Sequence, residues 1–276
     1  MPTAPTSDGV SVNYTDLGGE GPAILFAHAT GFHGHVWRPV ADRLTDAFHA
    51  VTFDERGHGD TPASPSGQSW LGFADDALAV VDHAGLEKPF AVGHSAGGAA
   101  LLLAELTRPG TFAGLWLFEA ILPPVRAADF PSRANPLAEG ARRRREVFPT
   151  KQAAYDNYAG KPPFSILDPA ALRAYVDFGF EDLDDGTVRL KCRGEVEAAT
   201  FEMSSEHGAA ARLGEITCPV VLASGARTDT PFGPDLMDRL VVELPHGTTE
   251  PFADLGHFGP LQDPDLVATS IRAAFS

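Results

Sequence analysis

Five short apolar runs, "AILFAH" (23–28), "AVTFD" (50–54), "FAVGH" (90–94), "LWLFE" (115–119) and "VVLAS" (220–224), recur along the chain with helical stretches between them. A strand that is apolar throughout is covered on both faces, and helices between successive strands provide parallel crossovers. The pattern predicts an α/β fold with a mostly parallel central sheet flanked by helices. Val36, Trp37, Val40 and Leu44 recur at helical spacing, as do Trp70, Phe73, Ala74, Ala77, Leu78 and Val81 behind a cap at Ser69; both sets read as core stripes. "VSVNYTDLGGEGP" reads as an antiparallel edge strand leading into a glycine turn.

The alternation stops after "LWLFEAILPP". Composition then shifts to Arg, Ala, Pro and Asp, with helical patches such as "DPAALRAYVDFGF" and "GEVEAATFEM", until the pattern resumes at "CPVVLASGARTD" and closes on the amphipathic helix "DPDLVATSIRAAF". The expected organisation is one core, 1–122 with 213–276, interrupted by a mostly helical cap over 123–212. A chain of 276 residues can bury such a core without disulfides.

Hydrophobic residues make up 43% of the chain and charged ones 21%, the balance of a soluble globular protein, and a net charge of −16 leaves no footprint for nucleic acid or an anionic membrane. The exception is "ARRRREVF" (141–148), where four adjacent arginines point around most of a helix and read as a solvated face. Cys192 and Cys218 are too few and too far apart for a disulfide framework or zinc site. The first residues, "MPTAPTSDGVSVNY", lack a signal-peptide pattern, and no apolar run is long enough to span a membrane, so the expectation is a cytoplasmic protein. No motif argues for a particular oligomeric state.

Chemistry enters with "AVGHSAGGAALL" (91–102). Gly93, Ser95 and Gly97 fit G-x-S-x-G between an apolar strand and a helix. A turn sharp enough to lift a serine above a sheet leaves no room for side chains two residues away on either side. The helix N-terminus beneath it favours negative charge. A serine hydroxyl is a poor nucleophile unless a base, an orienting acid and oxyanion donors surround it.

With these residues in view, the chain resembles the α/β-hydrolase fold family over nearly its whole length. "GHSAGG" looks like the family's nucleophile elbow, "HATGFHGHVW" like its oxyanion loop, "DERGHGDT" like the turn after its fourth strand and "LGHFGPLQDP" like its histidine loop. The resemblance implies a catalytic set of Ser95, Asp229 and His257, with the amides of Thr30 and Ala96 as the oxyanion hole. Glu119, at the end of "LWLFE", is the alternative acid, because some family members take theirs from that earlier strand. Ala29 stands where glycine is usual, a change that the loop accommodates if φ stays negative. His94 is placed to support the pocket. Asp54, Arg56, Gly57 and Gly59 read as a turn held by an internal ion pair. His28, His33 and His35 lack carboxylate partners at ligand spacing, so neither a metal nor a cofactor is expected.

The implied function is hydrolysis of a carboxylic ester, thioester or lactone of a small-molecule acyl substrate through a Ser-His-Asp acyl-enzyme. The alternatives are a hydrolase cleaving a C–C bond next to a carbonyl and a ligand-binding relative without catalysis.

Overall fold

In the computed structural model, which describes residues 1–123, 135–203 and 207–276, the apolar runs form the strands their spacing predicts. Strands β1 (Thr3–Pro5), β2 (Ser11–Gly18), β3 (Ala23–Ala27), β4 (His49–Phe53), β5 (Phe90–His94), β6 (Gly114–Phe118), β10 (Val220–Gly225) and β11 (Gly247–Phe252) build one sheet. Its order is β1-β2-β4-β3-β5-β6-β10-β11, parallel from β4 to β11, with β1 and β2 antiparallel at one edge.

Alternate residues of the central strands serve opposite faces. Leu25, Ala91, Leu115 and Leu117 join one buried cluster, and Ile24, Phe26, Val92, Trp116 and Phe118 join the other. Each large side chain taken out of water contributes about 1.5–3 kcal/mol, which is why these strands carry no polar alternation. Helices α2 (Trp70–His83) and α3 (Ala96–Thr107) contribute to the first cluster, and α1 (Arg38–Ala41) and α10 (Pro264–Ala274) to the second. Ser69 caps α2 by accepting from the Gly72 amide at 3.1 Å.

Strand β11 carries no apolar run. Its sequence, GTTEPF, is largely polar and contains a proline, and it pairs only with β10 at the sheet edge, where both are tolerated.

Between β6 and β10 the chain makes the expected helices, α4 (Pro136–Arg143), α5 (Lys151–Ala159), α6 (Pro169–Gly179) and α7 (Gly194–Glu202). It also forms an unforeseen three-stranded antiparallel sheet from β7 (Val147–Phe148), β9 (Val188–Leu190) and β8 (Phe180–Asp182). This excursion packs on the loops that follow the parallel strands: the Tyr175 carbonyl lies 3.1 Å from His33 Nε2, Lys191 pairs with Asp60 at 2.6 Å, and Trp70 Nε1 donates to the Met203 carbonyl at 2.6 Å. After β10 come α8 (Pro234–Val241) and the short α9 (Gly259–Gln262). No helix among the described residues is long and apolar enough to cross a membrane.

Candidate active site

Ser95 joins β5 to α3 with φ 56° and ψ −114°, a conformation that costs a non-glycine residue about 1–3 kcal/mol. Close packing holds it there. A Cβ on Gly93 would stand 2.6 Å from the Gly98 Cα, and one on Gly97 would stand 2.5 Å from the Ala27 carbonyl. The start of α3 thus lies directly against the ends of β5 and β3. The Ser95 amide donates to the Phe118 carbonyl at 3.0 Å, which ties the serine to the end of β6.

The same contact brings the loop after β3 beside the turn. The Gly97 amide is engaged by the His28 carbonyl at 3.0 Å, whereas among the described residues the Ala96 and Thr30 amides have no backbone acceptor. His28 anchors the loop from behind. Its Nδ1 donates to the Ala29 carbonyl at 2.8 Å and its Nε2 accepts from the Glu55 amide at 3.0 Å, so the ring is neutral with a defined tautomer, and burial holds its pKa well below the usual value. Ala29 keeps a negative φ, since only Lys88, Ser95 and Glu119 among the described non-glycine residues have positive φ.

His257 directs Nδ1 at Glu119 Oε2, 2.7 Å away. Glu119 is fully buried, just past β6, with φ 43°. Its carboxylate is encircled by donors: the Gly225 amide reaches Oε1 at 3.0 Å, and the Thr228 and Thr230 hydroxyls reach Oε2 at 2.9 Å each. Asp229, the expected acid, is exposed in the turn after β10 and is not the partner of His257. The reason is local: Thr228 and Thr230 face Glu119, and the residue between them faces solvent. The β10 loop therefore supplies donors to the Glu119 carboxylate rather than a carboxylate to His257. A "TDT" triplet after one strand and a lone carboxylate ending an apolar neighbour strand are the signals that favour this arrangement.

With its Nδ1 proton directed at a carboxylate, His257 has Nε2 free to accept a proton. His94 holds the other side of this loop. Burial and the neighbouring His257 keep its pKa well below the usual range, so the ring is neutral and Nε2–H donates to the His257 carbonyl at 2.8 Å.

Two other readings change. Arg56 does not pair within its own turn; it reaches Asp76 at 2.7 Å and Asp8 at 2.7 Å, while Asp54 accepts from the Gly34 and Asp60 amides. The arginine run is not uniformly solvated. Arg142 and Arg143 pair with surface glutamates, but α4 ends at Arg143 and the extended backbone of Arg144 turns that side chain inward. His28, His33 and His35 do not converge on a metal site, and no such group occurs among the described residues.

A family model described as "Alpha/beta hydrolase family" matches residues 24–270. Among curated proteins, a bifunctional esterase/perhydrolase of Acinetobacter calcoaceticus is 36% identical over 95 residues, covering 34% of each chain. That match spans about a third of the relative's length. A 3-oxoadipate enol-lactonase of Acinetobacter baylyi is 25% identical over 97% of this chain and 94% of its own. Among solved structures, E-2-(acetamidomethylene)succinate hydrolase superposes with a TM-score of 0.82 at 21% identity, covering 99% of this chain and 98% of that one.

Proposed function

Because the chain belongs to the α/β-hydrolase family, we propose that it is a serine hydrolase of small carboxylic esters or lactones, with Ser95 as nucleophile, His257 as base and Glu119 as the orienting acid. The observation that carries the reading is the position of Glu119, buried among three donors and 2.7 Å from His257 Nδ1. A carboxylate in that position fixes the imidazole tautomer and stabilises the imidazolium formed when the serine gives up its proton.

Ser95 Oγ attacks the carbonyl carbon as its proton passes to His257 Nε2, and the Thr30 and Ala96 amides receive the oxyanion. Collapse of the tetrahedral species expels the alcohol, which takes the proton back from His257. Water activated by the same imidazole then attacks the acyl-enzyme and releases the acid. Similarity to an esterase and an enol-lactonase supports this reaction class.

A fluorophosphonate probe, with peptide mapping of the adduct, tests it. Labelling at Ser95 that disappears in Ser95→Ala, together with turnover of p-nitrophenyl esters or lactones, is the expected result. Folded protein that neither labels nor turns over any ester or lactone would overturn the proposal in favour of a ligand-binding role.

A further inference from the structure

Arg144 is placed unlike its neighbours in the arginine run. Its guanidinium lies inside the excursion, with Nη1 paired to Glu197 Oε2 and Nη2 donating to Tyr175 Oη at 2.7 Å and Tyr158 Oη at 3.1 Å. Both phenols thus accept from the same arm of the arginine. Each still has its own O–H proton to donate, and among the described residues neither proton has an acceptor. Burial keeps the Tyr175 phenol well above its usual pKa, so it remains a donor. Two protonated phenols polarised by one cation form a pair of donors in search of an acceptor, and buried tyrosine hydroxyls ordinarily have one.

The cluster adjoins the candidate catalytic centre. Glu197 lies against the oxyanion loop, where a Cβ on Gly31 would stand 2.5 Å from its Oε1. The Tyr175 ring packs on Phe32 of the same loop at 5.2 Å, Phe32 packs on Phe258 at 5.8 Å, and Phe258 follows His257. A continuous series of ring contacts thus joins the phenol cluster to the residue beside His257.

We infer that Arg144, Tyr158 and Tyr175 form a subsite for a carboxylate on the acyl portion of the substrate, so that the preferred ester or lactone is derived from a dicarboxylic acid. This specificity rests on the serine-hydrolase reading above, whereas the subsite itself does not. Glu197 steadies the guanidinium from its other arm, and both Nη2 protons go to the phenols, which leaves the two phenol O–H groups to meet the ligand. The chain's net charge of −16 opposes anionic substrates at long range, so any preference for one reports local contacts.

The test compares carbon-matched esters: mono-p-nitrophenyl glutarate and adipate against p-nitrophenyl pentanoate and hexanoate. The wild-type protein is expected to favour the carboxylate-bearing esters in kcat/KM by about tenfold or more, and Tyr158→Phe and Tyr175→Phe are each expected to cut that ratio about tenfold. Circular dichroism establishes that the variants are folded. Preference for the neutral esters, or a ratio that neither variant moves, would overturn the subsite. Ser95→Ala protein separates the two proposals: glutarate, but not pentanoate, is expected to raise its Tm, and Tyr175→Phe in that background is expected to abolish the shift. Glutarate binding without turnover of any ester would sink the hydrolase reading and keep the subsite; turnover without glutarate binding or carboxylate preference would do the reverse.

Discussion

Glu119 Oε2 and His257 Nδ1 meet at 2.7 Å although they are 138 residues apart in the chain. The pairing is made possible by sheet order. Strand β6 lies between β5, which leads into Ser95, and β10, whose loop delivers Thr228 and Thr230. The end of β6 is therefore the one place adjacent to both the serine turn and the donors that satisfy a buried carboxylate.

Glu119→Gln is expected to lower kcat/KM by about 10³–10⁴-fold, because an amide cannot stabilise the imidazolium and can bind the wrong tautomer. Asp229→Asn is expected to change it by no more than about twofold, since that side chain is exposed and does not meet His257. Steady-state kinetics on one ester decides between them. A large loss in Asp229→Asn with little loss in Glu119→Gln would return the acid to the β10 loop.

In the proposed triad Thr228 and Thr230, whose hydroxyls donate to Glu119, act through it as positioning residues. Replacing both with valine removes two hydrogen bonds to a buried carboxylate, each worth about 1.5–3 kcal/mol, and frees it to rotate away from His257. A fall of about tenfold or more in kcat at nearly unchanged KM is expected, with recovery in the Thr228→Ser, Thr230→Ser protein. Equal activity in the valine and serine proteins would show that the hydroxyls do not position the acid.

The strands could be read from sequence because continuous apolar runs have one simple explanation, burial on both faces. The elbow could be read because its glycines mark where backbones touch. The carboxylate that meets His257 is not legible in the sequence, because β6 and β10 are neighbours and either can present one at its end; the side-chain directions around residues 228–230 put Glu119 there. Arg144 was hidden for a related reason. A run of four arginines reads as one helical surface, yet the helix stops after the second of them and the extended backbone of the third turns its side chain inward. Strand β11, the small sheet of β7, β8 and β9, and Arg56's partners Asp8 and Asp76 depend on segments distant in sequence, for which no local pattern exists.

Gly97→Ala is expected to destabilise the protein by about 2–4 kcal/mol, because its Cβ would meet backbone atoms of Ala27 and His28 that cannot rotate out of the way. Ser95→Ala keeps the turn and removes only one oxygen, so its stability is expected to stay within about 1 kcal/mol of wild type. Urea unfolding of the two variants measures the contrast. Wild-type stability in Gly97→Ala would mean that the elbow is looser than its packing indicates.

Acid is expected to destabilise the fold well above the carboxylate range. Burial lowers the pKa of His33 to about 3 and those of His35, His58 and His207 to about 4, and holds His28 and His94 well below the usual value. Unfolding restores ordinary histidines near about 6.5, so below that pH the unfolded chain binds protons that the native protein cannot. Stability is then lost as pH falls, by up to about 1.4 kcal/mol per pH unit for each histidine, until the native pKa is reached. Asp54, raised to about 6 by burial, and Glu55, raised by burial well above the usual range, work in the opposite direction, since the native protein holds their protons more tightly. The histidines outnumber them, and Tm is expected to drop by about 10 °C or more between pH 7.5 and pH 5.0. Thermal unfolding at constant ionic strength measures it. A Tm that is flat or rising toward pH 5.0 would show that these histidines take up protons without unfolding, and Tm curves of single His207→Gln and His58→Gln variants would identify which of the two is responsible.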